Sequence, residues 1–356
     1  MINILKQWYQ RYFTDPQTVM FAFILIFGAL LIVVMNAHLM PILIGIIIAY
    51  LFEGLVLRME QVHLNRTIGA SIVTALILAA ILLALFVLLP LLSRQGSELI
   101  RELPIMIGKG QLLLSELPEQ YPNYVSVEQV QEIFTLIRTE ISSLGQRVVT
   151  LSLNSVVGVI TFFVYLILMP LMVFFFLKDK ETILSWLGNF LPSERRLIAQ
   201  VWTELDVKIA SYIRGKFIEV IVVWVATYIA FIIMDMNYAM LLSLLVGLSV
   251  IIPYVGATLV SIPVALIAYF QWGWTSEFGY LMAAYTVIQF LDGNLLVPLL
   301  FSEVVNLHPL AIIVAVVFFG SLWGVWGVFF AIPLATLIQA ILKAWPSHTV
   351  AELAEE

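Results

Sequence analysis

Apolar residues fall along this chain in long blocks that are hydrophobic on every face, divided by shorter polar stretches. The blocks are Val19–Met35, Leu39–Leu57, Ile68–Leu92, Ser155–Leu177, Phe217–Met234, Ala239–Phe270, Gly279–Leu300 and Leu310–Leu342. About 20 such residues make a helix that crosses the hydrocarbon core of a bilayer. A block without a polar stripe predicts a helix covered all round by protein or lipid. Ala239–Phe270 is cut by Pro253 and Pro263, and Leu310–Leu342 is too long for one plain span. The pattern predicts an all-α polytopic membrane protein of about eight transmembrane helices. Its C-terminal third should hold proline-broken or re-entrant segments.

Other stretches are striped instead. Ser126 reads as an N-cap with Gln129 as its capping-box partner. Val130, Ile133, Phe134, Ile137, Ile141, Leu144 and Val148 then recur at helical spacing. Residues 97–117 read as a second amphipathic helix broken at Pro104, and Pro118 and Pro122 separate the two. These helices are expected to pack on each other or on the membrane surface, or to pair with neighbouring protomers. From Pro192-Ser193 another stripe runs through Leu197, Val201, Leu205 and Ile209. An interfacial helix under the bilayer explains it, with a partner-docking helix as the alternative. The organisation is then 1–92 membrane helices, 93–154 an extracytoplasmic amphipathic segment and 155–177 a membrane helix. It continues as 178–216 a cytoplasmic amphipathic segment, 217–345 a C-terminal membrane domain and 346–356 an acidic tail.

Composition agrees with a lipid-covered surface. The chain is 62% hydrophobic and 11% charged, with mean hydropathy +1.05, whereas a soluble domain is roughly 25% charged. No basic tract offers a footprint for nucleic acid. With no cysteine, disulfides, thiolate metal sites and cysteine nucleophiles are excluded. The N-terminus is polar and aromatic with no small-residue cleavage site after the first apolar run, so that run should stay as a helix.

Charge gives an orientation. Lys6, Arg11, Arg58, Arg66 and the group from Lys178 to Lys216 fall on one side if the first five blocks are single crossings. The positive-inside bias places that side, and the N-terminus, in the cytoplasm. From Phe217 to Leu342 there is no Lys or Arg, yet Glu219, Asp235, Glu277, Asp292 and Glu303 persist. Acids kept in an apolar, cation-free stretch predict a polar site or pathway inside the membrane domain.

Within that stretch Tyr285, Gln289 and Asp292 are spaced i, i+4, i+7 and share a helix face. Asp292 has no basic neighbour in sequence. It reads as a proton carrier or cation ligand, or as a helix end with Gly293 and Asn294 whose amides satisfy it. Pro253, Gly256, Pro298 and Pro333 are candidate backbone breaks. Each proline removes an amide donor and frees a carbonyl one turn earlier, and transporters build sites from such broken helices. Glu219 near Lys216, and Glu53 near Arg58, read as ion pairs snorkelling at the interface. Asp235 reads as solvated, and His308 as a cap before Pro309. Gly320…Gly324 and Gly327 predict close helix packing, with a re-entrant break near Trp323–Trp326 as the alternative. The sequence has no zinc-protease motif, nucleophile elbow or phosphate-binding loop. It is not read as an enzyme, and no metal site is expected.

Several motifs together resemble the autoinducer-2 exporter family. They are Phe175-Phe176-Leu177-Lys178-Asp179, Tyr212-Ile213-Arg214-Gly215-Lys216, Ile252-Pro253-Tyr254-Val255-Gly256 and Asn294…Pro298. Leu307-His308-Pro309, Gly320…Gly324…Gly327 and Ala331-Ile332-Pro333 complete the set. The resemblance implies a multi-pass bacterial inner-membrane protein of about eight helices without a cofactor. It also implies a homo-oligomer, with a pentamer among the arrangements. Family members are associated with autoinducer-2 export and some with sodium–proton antiport. Asp292 stands where many relatives have Glu, and Lys216 where many have Gln, so the substrate does not carry over with the fold. The reading is a secondary transporter or exporter of a small polar solute, driven by a proton or sodium gradient. Gln289, Asp292 and Asn294, with Tyr285, would form the pathway. The alternatives are a sodium–proton antiporter, a passive channel and a scaffold acting through the 93–154 helices.

Overall fold

The computed structural model describes residues 36–115, 155–190, 196–253, 255–301 and 307–344, with single positions between 126 and 139. Among them the chain is helical, with no strand. Among the described residues six helices are long and apolar enough to cross a membrane, and a bent pair supplies a seventh if it counts as one span. The expected span Val19–Met35 lies outside the described residues, as do Glu303 and most of the stripe after Ser126.

Helix α1 (Asn36–Gln61) packs on α2 (Arg66–Leu83) and α4 (Ser155–Lys178). Val56, Ala70, Val73, Val173 and Leu177 form the core between them. One end of this three-helix unit is tied by charge. Arg66 lies 2.9 Å from Glu53 and 3.3 Å from Glu60, and its Nε donates to the Leu177 carbonyl at 2.8 Å. Lys180 reaches Glu53 at 3.3 Å. Glu53 therefore pairs with Arg66 and Lys180 rather than with Arg58, because the fold brings three helix ends together where sequence neighbours diverge. After α4 the chain turns by 77° into the short α5 (Lys180–Gly188).

Helix α2 continues through a five-residue π turn (Ala84–Leu88) into α3 (Leu89–Ser115). The expected break at Pro104 does not occur. Pro104 is on an exposed face, where solvent can satisfy the carbonyl it frees. At about 1.5 Å per residue the apolar rod Arg66–Leu112, 47 residues, is far longer than a bilayer core of about 30 Å. Phe134 is buried, near Gly110 of α3.

The interfacial helix expected from the Leu197–Ile209 stripe is also revised. Helix α6 runs unbroken from Arg196 to Ile233. Val201 and Leu205 pack on Ala340 of the last helix rather than on a lipid surface. No proline lies between Arg196 and Ile233 to end the helix, so the amphipathic part and the span are one element.

The two long C-terminal blocks fold as hairpins, not as straight spans. Helix α7 (Ala239–Ser249) folds back on α8 (Val255–Trp272). Their far ends are joined by Gln271, which accepts from the Asn237 amide and donates to the Asp235 carbonyl, both at 2.8 Å. Gly256 makes the close approach feasible: a Cβ there would lie 1.7 Å from the Ser249 carbonyl oxygen. Helix α9 (Ser276–Leu291) passes through a π turn (Asp292–Leu296) into α10 (Val297–Phe301). Helix α11 (Pro309–Trp323) then folds back on α12 (Val325–Ala344). The turn is Gly324, whose φ of 60° and ψ of −136° suit glycine alone. A Cβ at Gly327 would sit 1.8 Å from the Phe319 carbonyl oxygen. With 11 and 15 residues, α7 and α11 are too short to cross a core of about 30 Å. Close packing and a re-entrant break, posed as alternatives for Gly320–Gly327, both hold. His308 caps α11, its Nδ1 accepting from the Leu310 amide at 3.2 Å.

Candidate functional site

The polar centre is built on one face of α6. Tyr212, Lys216 and Glu219 are spaced i, i+4, i+7, so they line up along a helix that packs on α7, α9, α10 and α12. Lys216 is 5% exposed and Glu219 1%. A buried lysine needs a charge partner and hydrogen bonds, and this one has both. Its Nζ donates to the Val250 carbonyl at 2.8 Å and lies 2.8 Å from Glu219 Oε2. The approach to Oε2 is oblique, so that contact is an ion pair rather than an aligned hydrogen bond. The ammonium also stands 5.3 Å from the centre of the Phe301 ring, within cation–π range.

The Val250 carbonyl is available because α7 ends there. Val250 is the residue at which the helix stops, one turn before Pro253. The last carbonyls of a helix carry partial negative charge, and Lys216 answers one of them. A second freed carbonyl is met the same way. Pro333 cannot donate to Phe329, and Tyr212 Oη donates to the Phe329 carbonyl instead, at 2.9 Å.

A cavity of about 530 Å³ opens beside this face. Helix α6 contributes Tyr212, Lys216 and Glu219, and the first hairpin contributes Val250, Ile252, Pro253 and Ala257. The α9–α10 segment supplies Gln289, Asp292, Gly293, Val297, Pro298 and Phe301, and the second hairpin region Leu307, Pro309, Ile312 and Ile332. The walls are mainly apolar, with two carboxylates, one ammonium and one carboxamide converging. Asp292 Oδ1 and Gln289 Nε2 are buried without a hydrogen-bond partner among the described residues. Asp292 opens the π turn. Such turns widen a helix without ending it and recur at functional sites, so the reading of Asp292 as a helix end is corrected. Among the described residues no group of three potential metal ligands comes together.

Not every residue singled out in the sequence lies here. Gln289, Asp292, Pro253 and Pro298 line the cavity. Tyr285 shares their helix face but sits one turn away, stacked on Phe231, with its hydroxyl 3.0 Å from Ser261 Oγ. Asn294 is exposed and donates back to the Phe290 carbonyl at 2.9 Å. Two residues beyond Asp292, the helix has turned to its opposite side. Gly256 shapes the hairpin rather than the wall, and Pro333 acts through the carbonyl it frees. Lys216 and Glu219, read as boundary residues, are instead buried beside Gln289 and Asp292. The i, i+4, i+7 spacing of Tyr212, Lys216 and Glu219 was the signal that could have found them.

A family model described as AI-2E family transporter matches residues 20–347. The chain belongs to this family. It is 47% identical over 352 residues to PerM of Escherichia coli (strain K12), a proposed permease, covering 99% of this chain and all of that protein. Over 318 residues it is 27% identical to YueF of Bacillus subtilis (strain 168), a proposed transport protein, covering 87% of this chain and 84% of that one. A proposed transport protein of Archaeoglobus fulgidus is 23% identical over 321 residues, covering 88% of this chain and 89% of its own. The family match spans both hairpins and the whole cavity. This AI-2E family member is a multi-pass membrane protein of a transporter family.

Proposed function

We propose that this chain is a secondary transporter that moves a small polar solute through the cavity bounded by α6, α9 and the two hairpins. The observation that carries the reading is Asp292. Its Oδ1 is buried and unpartnered at a π turn, facing a cavity that also holds Lys216, Glu219 and Gln289. A buried polar atom is costly unless something meets it, and a solute hydroxyl or a transported proton meets it here. The two helices that stop short of a full crossing supply the exposed backbone ends from which transport sites are made. Basic residues on one side of the first five blocks support an inner-membrane location with the N-terminus in the cytoplasm. A homo-oligomer is part of the same proposal.

Two carboxylates lining one cavity also favour a second reading, cation–proton antiport. Flux into proteoliposomes decides between them. A solute transporter shows saturable, gradient-driven solute uptake, and Asp292→Asn abolishes it. An antiporter shows sodium-driven internal alkalinisation or acidification with no added solute. Wild-type flux in Asp292→Asn rules out Asp292 as the proton carrier.

A further inference from the structure

The groups that meet the Lys216 ammonium are of the kinds that also meet a monovalent cation. Bare Na⁺ in protein takes carboxylate and carbonyl oxygens, favours the carbonyl end of a helix, and tolerates an aromatic face. Lys216 Nζ has all three: Glu219 Oε2 and the Val250 carbonyl at 2.8 Å each, and the Phe301 ring. Val250 is where the short helix α7 stops, so its carbonyl is one that the helix itself leaves free. Glu219 is almost fully buried, so as a carboxylate it needs a cation beside it, and without one it takes up a proton. Asp292 faces the same cavity and adds a second negative group. The charged and titratable groups here are thus Lys216 and Glu219 on α6, Asp292 opening the π turn, and the Tyr212 hydroxyl, which is already committed to Phe329.

We propose that Lys216 is a built-in counter-cation: its ammonium fills the place of a bound Na⁺, so that loading of this cavity requires no alkali cation. The inference rests on reading the cavity as the transport site. Its test is a binding measurement, so it fails or stands independently of flux. Because the ammonium is tethered, the site cannot release its cation with each cycle, and sodium should be neither needed nor moved.

The test is equilibrium binding of ²²Na⁺ to the purified full-length chain, measured from neutral to alkaline pH. Wild type should show no Na⁺ binding that Glu219→Gln removes. Lys216→Gln should gain saturable Na⁺ binding, and Lys216→Gln with Glu219→Gln should lose it again. The melting temperature of Lys216→Gln should rise with NaCl but not with choline chloride, by on the order of 3 °C at saturating sodium. Lys216→Met keeps the aliphatic stem against Phe301 and repeats the experiment if the glutamine variant is poorly folded. A folded Lys216 variant without sodium binding overturns the proposal. So does Glu219-dependent sodium binding in the wild type, an outcome that needs no variant to lack Lys216.

Discussion

At the scale of single residues, the site is a matter of which polar atoms have partners. Tyr212 shows the rule most simply. Its hydroxyl serves the carbonyl that Pro333 orphans, and Tyr212→Phe should destabilise the protein by roughly 1–3 kcal/mol, the cost of an unmet buried acceptor. A thermal melt in detergent measures it, and an unchanged melting temperature means another donor takes over. Arg66 gathers Glu53, Glu60 and the Leu177 carbonyl. Arg66→Met should cost about 2 kcal/mol, less than a fully buried pair, because Arg66 keeps 20% of its side chain exposed. Gln289 and Asp292 were legible in the sequence, since polar residues inside an apolar block stand out. Lys216 and Glu219 were legible only through their i, i+4, i+7 spacing with Tyr212. Next to a charged stretch they look like a boundary, and only the uninterrupted helix α6 carries them inside.

At the scale of elements, the two hairpins determine where the helices end. Each depends on a glycine whose hydrogen lies where a methyl would meet backbone oxygen: Gly256 against Ser249 and Gly327 against Phe319. Backbone cannot step aside as a flexible side chain does. Gly256→Ala or Gly327→Ala should therefore spread its hairpin and cost roughly 3 kcal/mol or more. The readout is the yield of monodisperse protein and its melting temperature. Gly293, where an added Cβ would meet nothing within 4 Å, is the control: Gly293→Ala should leave both near wild type. Proline positions predicted that the C-terminal blocks break. They did not say which prolines break a helix and which lie within one, as Pro104, Pro263 and Pro333 do.

For the whole molecule, the far end of α3 and the short helix α5 are expected on opposite sides of the bilayer, since α2 and α4 both cross it. The chain has no native cysteine, so single substitutions report the topology cleanly. Arg101→Cys on α3 should react with a membrane-impermeant maleimide in spheroplasts. Asn189→Cys, just after α5, should react only once the membrane is opened. The reverse pattern inverts the orientation, and labelling of both in intact cells removes the assumption of single crossings.

The sequence by itself determined that this chain is helical, lies in a membrane and carries a polar site in its C-terminal third. Those properties follow from local composition: apolar length, proline spacing and isolated carboxylates act through solvation, which each residue meets largely on its own. The tertiary structure decided the rest. It turned two blocks back on themselves, made one helix of an apparent surface segment and a span, and set Lys216 against the Val250 carbonyl 34 positions away in the chain. Those outcomes depend on which freed carbonyl finds which donor, and no periodicity records that pairing.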